Sequence, residues 1–183
     1  KDAFEAPSAY DKAWNHESKF QRTRWRDAIK LEIGKMEDKN VWKIVKMSSM
    51  PKGKRLCRSK WVFEIKRCGT FRARLVLMGF TQKGGQDFDL IYNSVVNDVT
   101  FRIILTAKMV FQLAAMLFDV SVAFLNAPMD YDNYMITPEG VDAGQDECAL
   151  LLKALYGSVQ GSRLWGLMFA GIMRKIGFVQ SPA

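Results

Sequence analysis

An apolar run of strand length ends in a single acidic residue near the middle of this chain. The stretch from Gln112 to Asn126 reads QLAAMLFDVSVAFLN, and the acidic residue is Asp119. Because burying a lone carboxylate is costly, Asp119 is expected to be paired or to bind a cation. At the end of a buried strand it would face the crevice above a sheet, where Mg²⁺ can bind. The alternative is a helix N-cap, or a strand-end Asp that accepts hydrogen bonds from backbone N–H groups.

The length and composition of the chain allow one sizeable hydrophobic core, or one large and one small lobe. The chain has 183 residues, of which 49% are hydrophobic. No run approaches the roughly eighteen apolar residues of a membrane-spanning helix, and the N-terminal residues do not resemble a signal peptide. Because the first residue is not Met, a fragment or a processed product is expected.

Cysteine and histidine usage favours an intracellular protein and argues against most hydrolases. Cys57, Cys68 and Cys148 form no C-x-x-C pair and are expected to be reduced thiols, in the cytoplasm, the nucleus or an organelle. The single histidine, His16, lies in a polar N-terminal stretch. Ser-His-Asp catalysis and histidine-rich metal sites are therefore poorly supported.

The net charge of +8 is unevenly distributed along the chain. Residues 1–75 contain 20 Lys and Arg against 9 Asp and Glu, whereas residues 76–183 contain 7 against 10. A basic half beside a slightly acidic half indicates a nucleic-acid surface next to a carboxylate-bearing site. Solvated helix faces with a basic arm explain the same charges equally well.

Helical periodicity predicts an amphipathic helix from about residue 18 to residue 37. VWKIV at residues 41–45 predicts a strand, and residues 47–58 predict a basic loop. The apolar residues at helical spacing are Phe20, Trp25, Ala28, Ile29, Ile33 and Met36.

Strict alternation of apolar and polar residues predicts a β-hairpin at residues 60–78, with its turn at residues 67–70. Period-two geometry places Arg72 and Arg74 on one face of the second strand, a face that Lys60 and Lys66 can share. Neighbouring guanidinium groups repel each other unless an anion lies between them, and phosphate suits that role. A solvent-facing edge hairpin is the alternative.

Weaker patterns organise the second half of the chain. Asp98 or Thr100 is expected to cap a helix that runs to about Val110, and residues 121–126 predict a short helix. Acidic residues at 130 and 132 are expected in a turn before a strand at residues 134–136, and residues 149–155 predict a second buried strand. Ser162 is expected to cap a last helix, which Gly177 ends.

Short motifs spread over nearly the whole chain, from about residue 25 to residue 181, occur in a characteristic order. Together they resemble the reverse transcriptase domain of copia-type LTR retrotransposons. Any one motif is weak evidence, whereas the ordered series is strong. The motifs are Trp25 with Ala28 and Glu32, Asn40-Val41-Trp42, Lys60-Trp61-Val62-Phe63, Arg72-Ala73-Arg74-Leu75-Val76, Gly79-Phe80, Gln82 with Gly85, Asp119-Val120, Ala123-Phe124-Leu125-Asn126, Tyr134-Met135, Pro138 with Gly140, Leu155-Tyr156-Gly157, and Gln160 with Arg163, Trp165 and Gly177-Phe178.

The resemblance implies an α+β fold, namely a fingers and palm fragment of a right-hand polymerase. Its expected parts are an antiparallel palm sheet with packed helices and a fingers β-hairpin. Residues 1–17 would form an extended lead-in, residues 18–96 a fingers-like subdomain containing the hairpin, and residues 97–183 a partial palm.

The same resemblance assigns site residues and a cofactor. In such enzymes two Mg²⁺ ions held by palm carboxylates bridge the primer hydroxyl and the incoming triphosphate. Asp119 would be the first palm carboxylate, and the backbone carbonyl of Val120 a further metal ligand. Phe124 would be the steric gate against a ribose 2′-hydroxyl. The resemblance also assigns nucleotide binding to Lys66, Arg72, Arg74 and Gln160.

The chain departs from the family where catalysis is concerned. The Tyr-x-Asp-Asp segment, which carries the other two carboxylates, does not occur in it. The expectation is a catalytically incomplete chain that does not bind both ions and that binds an RNA template and DNA primer. The alternative is a non-catalytic relic, a basic nucleic-acid-binding or scaffolding subunit with protein partners on an exposed palm surface. Smaller departures are a short hairpin turn, Met78 for Lys, Val95 for Pro, Ala127 for Gly, Val159 for Lys and Ser162 for Pro.

Overall fold

A computed structural model describes residues 4–93 and 95–180 of the chain. Residues 1–3, 94 and 181–183 belong to the predicted lead-in, fingers and palm segments respectively, and they lie outside the described residues. The described residues form a mixed α and β fold, as predicted. Its helices are α1 (Tyr10–Trp14), α2 (Lys19–Asp38), α3 (Asp98–Val110) and α4 (Gly161–Lys175). Its strands are β1 (Trp42–Lys46), β2 (Leu56–Cys57), β3 (Ser59–Ile65), β4 (Phe71–Leu77), β5 (Pro128–Met135) and β6 (Glu147–Lys153).

The strands form two sheets. The larger has the order β1-β6-β5-β2, in which β6 pairs antiparallel with β1 and with β5, and the two-residue β2 pairs parallel with β5. The smaller sheet is the hairpin β3–β4. Two strands of the larger sheet come from residues 18–96 and two from residues 97–183. The two predicted subdomains are therefore hydrogen-bonded to each other within one sheet.

The predicted hairpin is confirmed. Trp61 lies opposite Leu75, Val62 opposite Arg74 and Glu64 opposite Arg72. One face is apolar and buried, with Trp61 and Leu75 among its members, because alternate residues of a strand point to the same side. Arg72 and Arg74 lie on the other face, as the alternation predicted.

Helix α2 packs on strand β4 and closes the main hydrophobic core. The helix begins after Ser18, whose hydroxyl accepts a hydrogen bond from the backbone N–H of Gln21 at 3.5 Å. Trp25 is fully buried, with its ring centroid 4.6 Å from that of Phe71 and 5.4 Å from that of Phe63. Edge-on aromatic contacts of this kind add to the burial of apolar area.

The predicted strand before Asp119 is wrong. Residues 113–120 have no regular secondary structure, and Leu117 is 99% exposed. A strand needs a neighbour for its backbone groups and a cover for its apolar side chains. In the described part of the chain no strand pairs with this segment, and Phe118, whose ring centroid lies 6.3 Å from that of Phe169, is still 60% exposed. Asp119 therefore follows an exposed, irregular stretch rather than a buried strand.

Several smaller predictions require correction. Residues 10–14 form helix α1 within the predicted extended lead-in, because Tyr10 stacks on Trp14 at 5.6 Å. Asn97, not Asp98 or Thr100, caps α3, through its side-chain oxygen and the N–H of Thr100 at 2.8 Å.

At the other end of the fold, Ser162 does not cap α4, which begins at Gly161. Strand β5 begins at Pro128, so Asp130 and Asp132 lie on a strand and not in a turn. The predicted end of α4 is confirmed, since Gly177 has φ 98° and its N–H donates to the carbonyl of Arg174 at 3.1 Å.

Candidate active-site cleft

Residues that are far apart in the sequence meet around one cleft of about 450 Å³. The cleft lies between α2, strand β4, the segment after Phe118 and the turn after β6. Its walls carry charges of both signs together with two aromatic side chains. The lining residues are Glu32, Lys35, Arg72, Asp119, Val120, Ser121, Val122, Ala123, Phe124 and Tyr156.

A strained turn shapes the wall that carries Asp119. Val122 has φ 50° and ψ 39°, a left-handed conformation that a β-branched residue rarely adopts. Its carbonyl accepts hydrogen bonds from the N–H of Leu125 at 2.9 Å and from Nδ2 of Asn126 at 3.2 Å. Leu125 is fully buried, so the core holds this turn in place despite the strain.

Phe124 and Tyr156 form the aromatic side of the cleft. Their rings meet edge to face, with centroids 5.3 Å apart and an interplanar angle of 79°. The carbonyl of Tyr156 accepts a hydrogen bond from the N–H of Leu77 at 2.7 Å, which fixes Tyr156 against the end of β4. The hairpin therefore positions this aromatic pair.

Charged groups surround the hydroxyl of Tyr156. Burial raises the pKa of Tyr156, and the carboxylates of Glu32 and Asp119 raise it further, while the guanidinium groups of Arg74 and Arg72 lower it. Two carboxylates and two guanidinium groups, which come from three different segments of the chain, thus affect the pKa of this one hydroxyl. The cleft is an electrostatically mixed site rather than a purely basic or acidic one.

Four of the residues predicted for the site come together here. Arg72, Asp119, Val120 and Phe124 all line the cleft, and Asp119 is exposed to it rather than buried. Arg72 lies directly opposite Glu64 in the hairpin, but the two side chains form no ion pair. The guanidinium of Arg72 is therefore not held by its cross-strand neighbour.

Arg74 lies beside the cleft without lining it. Its charge affects Tyr156, and its Nε is buried without a hydrogen-bond acceptor. Lys66 is exposed at the turn of the hairpin, where its N–H donates to the carbonyl of Thr70 at 3.0 Å, and it does not line the cleft.

Gln160 is fully buried and does not reach the cleft. Its Nε2 donates to the carbonyl of Asp87 at 2.8 Å, and its Oε1 accepts from Nε2 of Gln82 at 3.0 Å. Both ends of this side chain are thus bonded within the protein.

Gln160 belongs to a buried polar network that sequence reasoning missed. The network joins the loop after the hairpin to β5 and to the beginning of α4. Lys54, from the predicted basic loop, pairs with the buried Asp87 at 3.6 Å and donates to the carbonyls of Gln86 and Asp132. This lysine is used internally, although its sequence context predicted a surface role. The amide side chains of the network are Gln82, Asn133 and Gln160.

The family is decided by comparison with known proteins. Residues 39–183 match the family described as reverse transcriptase (RNA-dependent DNA polymerase). This chain belongs to the copia-type reverse transcriptase family. No solved structure matches it.

Curated relatives of this reverse transcriptase chain are transposon polyproteins. The chain is 34% identical over 175 residues to the retrovirus-related Pol polyprotein from transposon TNT 1-94 of Nicotiana tabacum. It is 30% identical over 165 residues to the corresponding polyprotein from transposon RE1 of Arabidopsis thaliana. These alignments cover 92% and 86% of the chain but only 13% and 11% of the relatives. The chain therefore corresponds to a small part of each polyprotein.

The reverse transcriptase family generally depends on a divalent metal. Among residues 4–93 and 95–180, no group of three or more His, Cys, Asp and Glu side chains could hold a metal ion. The cleft contains the carboxylates of Asp119 and Glu32, and that of Glu32 is paired with Lys35. Since each divalent ion needs several oxygen ligands, the described cleft does not fit a two-magnesium site.

Helix length and hydropathy also bear on membrane association. None of the helices in the described part of this reverse transcriptase chain combines the length and the apolar character that crossing a bilayer requires.

Proposed function

We propose that this chain forms the nucleotide-binding part of a copia-type RNA-directed DNA polymerase, and that the cleft receives a deoxynucleoside triphosphate. The supporting observation is the convergence of Arg72, Asp119 and Phe124 on one cleft. In the sequence, Asp119 and Phe124 lie 47 and 52 positions after Arg72, with the whole of helix α3 in between. In this proposal the hairpin acts as the fingers and the larger sheet as part of the palm.

Arg72 binds the triphosphate. Its planar guanidinium group offers parallel N–H donors that match phosphate oxygens, and none of the carboxylates within residues 4–93 and 95–180 forms an ion pair with it. Arg74 adds positive potential from beside the cleft. Lys66 is exposed at the end of the same hairpin and adds positive charge on the face of approach of the phosphates.

Phe124 selects the sugar. Its ring is held edge-on against Tyr156 and so forms a fixed wall, which a ribose 2′-hydroxyl would contact and a deoxyribose would not. Asp119 and the backbone carbonyl of Val120 lie on the same wall and contribute oxygen atoms for a cation that accompanies the triphosphate. Gln160 acts through packing, since it anchors the beginning of α4 beside Tyr156 and Gly157.

The proposed binding of a deoxynucleoside triphosphate can be tested by calorimetric titration with dATP and ATP. Arg72→Gln should weaken dATP binding by about tenfold, the value of one charge-assisted hydrogen bond. Arg67→Gln is the matched control, because Arg67 is exposed in the turn of the same hairpin and lies outside the cleft. Equal effects of the two substitutions would show that Arg72 acts only through net charge.

The proposed selection of the sugar by Phe124 is tested by the ratio of the affinity for dATP to the affinity for ATP. Phe124→Ala should bring the affinity for ATP close to that for dATP, because the wall against the 2′-hydroxyl is removed. The ratio is an internal control for any general loss of folding. An unchanged preference for dATP in this variant would remove Phe124 from the role of steric gate.

The proposed binding of an RNA template depends on the basic residues in the first half of the chain. Binding of a single-stranded RNA of about 20 nucleotides should weaken steeply as salt rises, because phosphate contacts release counterions. Because the described residues hold no three-ligand metal cluster, primer extension by this chain alone in Mg²⁺ should yield no product. Salt-independent RNA binding would contradict the electrostatic interface, and extension by the chain alone would contradict the incomplete site.

A further inference from the structure

Lys35 lines the cleft from helix α2, and neither the sequence motifs nor the family comparison assigns it a role. Its Nζ lies 3.4 Å from Oε2 of Glu32, one helical turn earlier. The Lys35 side chain is 42% exposed, whereas that of Glu32 is only 7% exposed. A buried carboxylate therefore holds an ammonium group that stays open to the cleft.

This arrangement leaves Lys35 available to an anion. An ammonium group has three donors, and Glu32 accepts from one of them. The backbone of α2 and the buried Glu32 fix the position of the charge, so an anion that binds it does not have to order a free lysine side chain. Arg72 supplies a second cationic group to the same cleft from strand β4.

We propose that Lys35 binds a phosphate group of the nucleotide, together with Arg72, and that Glu32 is the residue that positions it. The triphosphate would then contact a lysine of the helix and an arginine of the hairpin, two elements that are packed on each other. Lys35 is thus a binding residue for phosphate, and Glu32 a positioning residue. This inference rests on the proposed function for the identity of the natural ligand, but the anion site itself can be tested separately.

The test uses tripolyphosphate, which carries the phosphate chain without sugar or base. Calorimetric titration should show a loss of affinity of about tenfold for Lys35→Gln relative to Lys30→Gln. Lys30 is exposed on the same helix and does not line the cleft, so both variants lose one positive charge but only one loses the contact. Lys35→Arg should retain most of the affinity, and deoxyadenosine binding should not change in any variant.

Lys35→Gln leaves the buried carboxylate of Glu32 without its ion-pair partner, and a second pair of variants controls for this effect. Glu32→Gln and the double variant Glu32→Gln with Lys35→Gln both lack that carboxylate and differ only at residue 35. The double variant should bind tripolyphosphate more weakly than Glu32→Gln alone. Equal affinities in this pair, or equal losses for Lys35→Gln and Lys30→Gln, would overturn the inference, as would a wild-type chain that does not bind tripolyphosphate. A different result would overturn the proposed function alone. In that case the wild-type chain would bind tripolyphosphate in a Lys35-dependent way but would show no preference for dATP over ATP.

Discussion

Nε2 of Gln82 lies 2.7 Å from Oδ1 of Asn133 in the buried polar network. The same nitrogen donates to Gln160, and Oε1 of Gln82 accepts from the N–H of Val159 at 2.8 Å. One side chain thus bonds to β5 and to the segment between Tyr156 and α4. The network fixes the position of the turn that carries Tyr156 into the cleft.

Removing the central amide should therefore be costly. Gln82→Leu leaves the buried polar groups of Asn133, Gln160 and Val159 without their partner, and each unsatisfied group costs about 1–3 kcal/mol. We expect the free energy of unfolding in urea to fall by at least about 2 kcal/mol. Gln145→Leu, at an exposed position, should change it by less than about 0.5 kcal/mol. Similar small losses in both variants would show that the network contributes little.

The local elements of this fold could be predicted from the sequence because their signals are local. Helix α2 and the β3–β4 hairpin are set by periodicity over short windows, and a capping serine and a glycine turn mark their ends. The strand predicted before Asp119 failed because an apolar run becomes a strand only beside a partner. Nothing within the run itself specifies whether that partner is present.

The site shows the same division. The resemblance named Arg72, Asp119 and Phe124, and the structure places all three on one cleft. It named Gln160 as well, but a sequence motif does not distinguish a residue that touches a ligand from one that is buried beneath it. The place of Lys35 in the cleft could not be identified from sequence, since it depends on α2 packing against β4.

Gly157 is the residue most sensitive to a small substitution near the cleft. It has φ 83°, and a Cβ there would lie 2.2 Å from the carbonyl oxygen of Leu77, a backbone atom that cannot move aside. We expect Gly157→Ala to lower the free energy of unfolding by more than about 3 kcal/mol, from strain and overlap together.

Gly53 provides the matched control for that substitution. It has a similar φ of 88°, but apart from its two neighbours along the chain no described residue has an atom within 4 Å of the added Cβ. Gly53→Ala should cost only the left-handed strain, about 1 kcal/mol. The difference between the two variants in urea unfolding measures the steric overlap, and equal losses would contradict the close approach of Gly157 to strand β4.

The thiol of Cys57 should make stability depend on alkaline pH. Burial, and then the carboxylate of Asp87, raise the pKa of Cys57 from 9.0 to about 11 in the folded chain. The thiol stays protonated when folded but ionises when unfolded, so its contribution is complete below pH 9 and is lost between pH 9 and 11. Wild type should lose roughly 1 kcal/mol more than Cys57→Ala between pH 8 and pH 10.

Cys68→Ala serves as the control for the pH experiment, because Cys68 is exposed and the hydroxyl of Thr70 lowers the pKa of its thiol. This variant should decline at least as steeply as wild type, because a thiol whose pKa is lowered in the folded chain adds stability as the pH rises. Urea unfolding at a series of pH values checks the expectation. If Cys57→Ala declines as steeply as wild type, the thiol of Cys57 is not the group that titrates.

Helix α3 should contribute almost nothing to the stability of this chain. Its sequence predicts a helix, yet none of its residues is buried, and Ile104 is 57% exposed. Ile29, in helix α2, is fully buried. Ile29→Ala should therefore lower the free energy of unfolding by about 2–5 kcal/mol, whereas Ile104→Ala should lower it by less than about 0.5 kcal/mol. A large loss for Ile104→Ala in dilute solution would mean that another part of the protein, or a second molecule, covers this helix.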